Sequence, residues 1–341
     1  MKLWKLLLIS ALSVFFIWLF INRINFNEIK SIWRTIPGRY PLMFVLLSLP
    51  QFYVRSYRWG LLLKPFKKRI AFRSLWNFSL IGFMISYLLP GRLGEIARPV
   101  MLAEKEKIKK SQAIATIINE RLFDLLTVLL LLVLYLVSGL GKPSPVLIKL
   151  KTMAFLLLPL VFSIFLVITL ANSEKFFPKT EKLIHWLSRI LPSRFRTKTR
   201  AVVVQFVKAL HLNLDWASMA KVFFFSLLHW GIILVSYWLL MQGFAGIGLD
   251  LPSTIPFLAV IFVAAAIPTP GMAGSLDLAS KYALLGLFGV TAKTAVAFTL
   301  LFHFLLLLPP IVLGLIAFWS EGLSFKIISQ LREKNELSAM H

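Results

Sequence analysis

The stretch SYLLPGRLGEIARP, residues 86–99, closes an apolar run (75–89) with Pro90-Gly91 and then presents Arg92, Glu95 and Arg98 within one helical turn or two. Proline cannot continue a helix and glycine is free to adopt positive φ, so the pair predicts a chain reversal. If the preceding run lies in lipid, the reversal falls at membrane depth, where irregular backbone persists only when buried in protein or lining a wet cavity. Residues 90–98 are therefore the first candidate site.

Composition supports the membrane setting. Of 341 residues, 58% are hydrophobic and 15% charged, with a mean hydropathy of +0.81, far from an average soluble domain. Lys and Arg outnumber Asp and Glu by 38 to 14, a net charge of +24. In a soluble chain that excess would point to nucleic acid. Here the bases fall between apolar runs, so they read as topology signals and contacts to anionic headgroups, and no nucleic-acid role is expected. Cysteine is absent, which excludes disulfide and thiol chemistry, and the five histidines lack metal-ligand spacing. No metal or other cofactor is expected.

Working outward, Lys2 and Lys5 precede an apolar run, 6–21, with no small-residue cleavage site after it, so an uncleaved first span is expected. Residues 24–40 read as a short interfacial segment. A second span begins near Pro41 and turns polar at Gln51, Arg55 and Arg58, the two arginines sharing a face. Seven bases between 55 and 73, and six more from Arg92 to Lys110, flank the run 75–89 on both sides. Both flanks favour the cytoplasm, which makes the run one arm of a re-entrant hairpin. The span 113–137 carries Glu120, Arg121 and Asp124 near its start. Such groups cost about 2.5–3.5 kcal/mol each at a helix centre, so they should face a bundle interior or cavity. They read either as a site or as a structural ion-pair knot with Arg92 or Arg98. A span over 152–170 and a basic amphipathic connector over 172–213, with nine bases, follow. The span 217–240 contains His229, which reads as hydrogen-bonded in the bundle.

The second half then repeats the opening pattern. The run 255–267 ends in PTPGMAG, so that Pro90-Gly91-x-x-Gly94 recurs as Pro270-Gly271-x-x-Gly274. Each copy follows a span and an apolar run, and each precedes another span. Counting crossings with basic clusters inside gives the two units opposite senses, an inverted repeat with halves at about 41–138 and 217–319. Asp277 and Lys281, four apart, read as the counterpart of Glu95 and Arg98. The last span, about 293–318, carries His303 and a bend at Pro309-Pro310. The expected fold is an all-α polytopic membrane protein, with about six full spans plus two re-entrant helical hairpins, forming one integral membrane domain (1–325) and a cytoplasmic tail (326–341). Arg23, Lys30, Arg34 and Arg39 would then lie outside, against the charge rule.

The segments LPGRLGE (89–95) with Arg98, ERLFD (120–124) and PTPG (268–271), in this order, resemble the transmembrane region of lysylphosphatidylglycerol synthases, a flippase-like membrane family, over nearly the whole chain. Met272 and Asp277 stand where that pattern usually has glycine and glutamate, and His303 where an arginine often lies. The synthases' separate soluble domain transfers lysine from tRNA, and no stretch here is long or polar enough for it. The resemblance implies lipid handling without aminoacyl transfer, in a prokaryotic plasma (inner) membrane, with both termini cytoplasmic. Three functions stay open. A flippase-like protein would translocate or bind a phospholipid or lipid-linked anionic headgroup at a charged midplane cavity. A membrane enzyme would use Glu95 or Asp124 as general base, though no nucleophile motif or nucleotide loop argues for catalysis. A non-transporting accessory subunit would serve a partner in envelope lipid or lipid-linked glycan biosynthesis. The candidate substrate-binding residues are Arg55, Arg58, Arg92, Glu95, Arg98, Glu120, Arg121, Asp124, Asp277 and Lys281. The candidate turn residues are Pro90, Gly91, Gly94, Pro270, Gly271 and Gly274. Membrane lipids are the expected partners, with a second copy of the chain or a biosynthetic enzyme left open.

Overall fold

The computed structural model describes residues 26–89, 92–140, 159–163, 166, 212, 214–267 and 269–323. The first span (6–21), nearly all of the span 152–170 and of the connector 172–213, the tail, and Pro90, Gly91 and Pro268 lie outside the described residues.

The described chain is all-α, with no strand among the described residues. Its main helices are α1 (Phe26–Thr35), α2 (Arg39–Leu63), α3 (Phe72–Leu88), α4 (Leu93–Glu106), α5 (Lys110–Ser138), α6 (Trp216–Gln242), α7 (Ile255–Ala264), α8 (Ser275–Phe288) and α9 (Ala292–Ser320). By length and composition α5, α6 and α9 can cross a membrane. At 1.5 Å per residue they run about 40–44 Å, beyond the ~30 Å hydrocarbon layer. By the same rise α4, α7 and α8 reach only about 15–21 Å and α3 about 26 Å. None of these four alone meets that span length, and they pack as two helical hairpins, α3 with α4 and α7 with α8.

Side chains fix the directions. α2 and α6 are antiparallel, since Phe44 stacks on Tyr237 at 6.2 Å while Tyr57 meets Phe225 at 4.8 Å. The start of α3 lies beside the end of α9, where the Asn77 amide donates to Glu321 Oε1 at 2.8 Å. α4 ends beside the start of α5, where Lys110 pairs with Glu104. α7 starts at the opposite end, with Ile255 packed against Tyr135 and Leu136 near the end of α5. The two hairpins therefore enter from opposite ends and their tips meet. A Cβ on Gly271 would stand 3.4 Å from the Tyr87 carbonyl oxygen.

Each tip has an L-residue in the left-handed region at the same place after its Pro-Gly: Arg92 at φ 54° and Met272 at φ 56°. That conformation costs an L-residue roughly 1–2 kcal/mol. Gly94, expected as a turn residue, instead lies in the first turn of α4. Its role is close approach: a Cβ there would sit 1.8 Å from the Gly82 carbonyl oxygen. Gly314 likewise lets α9 rest on α3, where a Cβ would fall 2.4 Å from Cβ of Met84.

Two further details complete the fold. α9 stays helical through Pro309-Pro310. The segment read as interfacial is tied to α9, as Trp33 Nε1 donates to the Ala297 carbonyl at 2.9 Å and Lys293 pairs with Glu28 at 2.9 Å. The core has an aromatic half built on Phe44, Tyr237, Phe257, Phe298 and Phe302. Its other half surrounds Trp59, Phe78, Ile81 and Met84.

Candidate functional site

Helical spacing on two neighbouring helices makes the centre of the site. Arg55 and Arg58 share a face of α2, and Glu120, Arg121 and Asp124 share the facing stretch of α5. Glu120, with no exposed surface, accepts from Arg55 Nε at 2.9 Å and from Arg98 of α4, and lies 3.4 Å from guanidinium nitrogens of both Arg58 and Arg121. Asp124 Oδ1 accepts from Arg58 Nη1 at 2.7 Å and from Trp230 Nε1 at 3.0 Å. Arg58 Nη1 also donates to Ser226 Oγ at 2.8 Å. Arg58, Arg98, Glu120 and Asp124 are all buried. Burying charge is tolerable only with such pairing and hydrogen bonding. Arg55 and Arg58 thus point into the bundle and are paired there with Glu120 and Asp124.

Aromatic rings hold the cations from the other side. Arg98 lies over Trp59 at 4.1 Å and Arg55 over Phe83 at 4.2 Å. Trp59 is itself oriented by its Nε1–H bond to Thr116 Oγ1 at 2.9 Å. Desolvated cation–π contacts of this kind contribute about 2 kcal/mol. The rim is more open. Arg92 Nη1 pairs with Glu95 at 3.2 Å, and Arg121 lies between Glu95 and Asp124 at 4.0 Å and 3.4 Å.

Five guanidinia (Arg55, Arg58, Arg92, Arg98, Arg121) meet three carboxylates (Glu95, Glu120, Asp124), leaving two positive charges in excess within this cluster. The cluster borders two spaces whose linings share Arg55, Tyr87, Arg92, Arg121 and Met272. One is a recess of about 80 Å³ against Ser86 and Glu95. The other is a cavity of about 390 Å³ that continues between Ile233, Leu258, Ile261, Phe262 and Leu306. One end is basic and the other apolar. Both hairpin tips contribute, Tyr87 and Arg92 from the first and Met272 from the second.

The structure thus gathers Arg55, Arg58, Arg92, Glu95, Arg98, Glu120, Arg121 and Asp124 in one place. Asp277 and Lys281 are not part of that cluster. Asp277 is held at the second tip, accepting from the Gly274 amide at 2.8 Å and bonding His303 at 2.6 Å. The Lys281 ammonium lies 5.8 Å from the Tyr282 ring. His229, expected to be hydrogen-bonded, is buried against Trp230 beside the cavity, with no hydrogen-bond partner at Nδ1 among the described residues. Trp230, Ser226, Trp59 and Tyr87 were not singled out by sequence. α6 is apolar around most of its circumference, so nothing marks the one face carrying Ser226 and Trp230. Among the described residues no group of three His, Asp or Glu gathers that could hold a metal.

Long apolar helices, two short hairpins meeting tip to tip and a buried ion-paired cluster beside a half-apolar cavity define an integral membrane protein built around an internal charged site. The profile of one protein family, the lysylphosphatidylglycerol synthase TM region, matches residues 3–314, and the chain belongs to that family. Among curated proteins no match is found.

Proposed function

We propose that this protein takes the anionic headgroup of a phospholipid or lipid-linked phosphate into the cavity between its hairpin tips and passes it from one leaflet to the other. The observation that carries the reading is the surplus of guanidinium charge at the basic end of a cavity whose other end is apolar. Arginine binds phosphate through two parallel, charge-assisted hydrogen bonds. Arg92 and Arg121, each partly exposed, would bind the headgroup, with Arg55 beside them. The buried Arg58, Arg98, Glu120 and Asp124 would hold the frame, while acyl chains follow the apolar wall. The single membrane domain, the inverted-repeat relation of its halves and the inner-membrane location with cytoplasmic termini belong to the same proposal. The matching left-handed backbone at Arg92 and Met272 supports the repeat. The bases at the 64–73 and 105–110 end support the orientation.

The test is reconstitution in liposomes carrying tail-labelled anionic or zwitterionic phospholipid. Wild type should move the anionic probe between leaflets, and Arg92→Ala should slow it about tenfold, the loss of one hydrogen bond to a charged group. The folded fraction should be unchanged. No movement of either probe, or equal rates for wild type and Arg92→Ala, would overturn the proposal.

A further inference from the structure

The second hairpin tip is fastened to α9 by one side chain whose two bonds need one proton more than neutral imidazole plus carboxylate supply. His303 Nδ1 stands 2.6 Å from Asp277 Oδ1, and its Nε2 stands 2.9 Å from the Gly271 carbonyl oxygen. A backbone carbonyl can only accept, so Nε2 must carry hydrogen. The carboxylate also accepts, so Nδ1 must carry hydrogen too unless Asp277 itself is protonated. Wherever that proton sits, the His303–Asp277 pair holds one more than neutral imidazole plus carboxylate. On its loss, one of the two contacts becomes acceptor facing acceptor. Histidine is the side chain whose ordinary value, about 6.5, puts this change in the physiological range.

The surroundings leave the exchange to this pair. Among the elements packed on α9, α8 brings Asp277 and, one turn on, Lys281. α1, which carries Glu28, Lys30 and Arg34, meets the start of α9 through Glu28 on Lys293 and Trp33 on Ala297. α2 has no charged residue between Arg39 and Arg55 and meets this part of α9 through Phe44 on Phe302, α6 meets it through Tyr237 on Phe302, and α7, which carries no charged residue, through Phe257. α3 has Arg73 near its far end and Tyr87 at its tip. The His303 side chain keeps 13% of its surface uncovered by protein. The fastened segment is also cavity wall: Met272 and Leu276 line the large cavity, and Gly271 abuts the Tyr87 carbonyl of the opposing tip.

We infer that the His303–Asp277 pair is a proton-binding site that latches the second hairpin tip to α9, so that proton uptake closes this wall of the cavity and proton release frees it. The latch stands on local geometry alone; that it couples proton binding to lipid movement rests on the function proposed above. Hydrogen exchange of the tip amides in residues 269–274 tests the latch without any lipid transport. The full chain in nanodiscs would be compared at about pH 5.5 and about pH 8, either side of the imidazole value, with each rate divided by the intrinsic rate at that pH. Wild type should lose about tenfold or more of its tip protection at the higher pH, the fold-change for a lost hydrogen bond to a charged group. Residues 113–124 of α5 should not change. His303→Arg, always charged, should stay protected at both pH values, and His303→Gln should be open at both. Equal wild-type tip protection at the two pH values would overturn the latch, with no variant needed. A working latch without lipid movement would refute only the transport reading.

Discussion

Replacing Glu120 by glutamine keeps the shape of the side chain and removes the charge that four guanidinia share. In the native site this carboxylate, fully buried, contacts Arg55, Arg58, Arg98 and Arg121. In the variant two carboxylates, Glu95 and Asp124, remain for the five guanidinia of the cluster, and the new amide turns two N–H donors toward cations. Removing one partner of a buried pair leaves an uncompensated charge and costs about 3–5 kcal/mol. Glu120→Gln should therefore lower unfolding stability in detergent micelles by that amount, followed by denaturant titration. A cycle with Arg98→Gln makes the argument specific. Residues sharing a network couple by about 0.5–3 kcal/mol, so the double variant should be more stable than the sum of the two single losses predicts. A loss under about 1 kcal/mol for Glu120→Gln, or strict additivity with Arg98→Gln, would refute the idea that this carboxylate holds the cations together.

Three other outcomes follow from particular contacts. Gly94→Ala places a Cβ 1.8 Å from the Gly82 carbonyl oxygen, so the first hairpin cannot close and the monodisperse peak in size-exclusion chromatography should be lost; Gly38→Ala, with nothing within 4 Å among the described residues, should behave as wild type. Trp230→Phe removes the N–H donated to Asp124 and should cost about 1–3 kcal/mol in the same titration, with the aromatic packing retained. At the end of α9, burial works against the Glu321 charge, but hydrogen bonds from Lys105 and Asn77 outweigh it and hold the carboxyl below the usual range. Its stabilising contribution is thus complete above the ordinary carboxyl value of about 4.3 and is lost as pH falls through the folded value. Glu321→Gln should flatten the acid limb of an unfolding-midpoint series run between about pH 3 and pH 6.

The sequence carried the class of fold because apolar runs with charged flanks are a strong signal at this composition. It also carried most of the charged cluster, since Arg55 with Arg58, and Glu120 with Asp124, sit at helical spacings inside stretches where charge is expensive. Of the pairings, a knot of α5 with Arg92 or Arg98 is among the readings of the sequence, but which carboxylate takes part and what else joins it is not. That Glu120 serves Arg98 as well as the α2 arginines depends on how α4 folds back on α3, which Gly82 and Gly94 permit by contact rather than by any periodic pattern. Asp277 was grouped with Lys281 because they share a helical face; the structure pairs it with His303, 26 residues on, through a tertiary contact invisible to spacing. Trp230 and Ser226 lie in a helix apolar on nearly every face, so their polar role had no sequence contrast to mark it.

The most direct test of the headgroup site is an experimental density map of the protein in nanodiscs rich in an anionic phospholipid. The account predicts headgroup density between Tyr87, Arg92 and Met272, with phosphate against Arg92 and Arg121 and acyl density along Ile233, Leu258 and Phe262. A cavity holding only water, with lipid confined to the outer surface of the bundle, would contradict it.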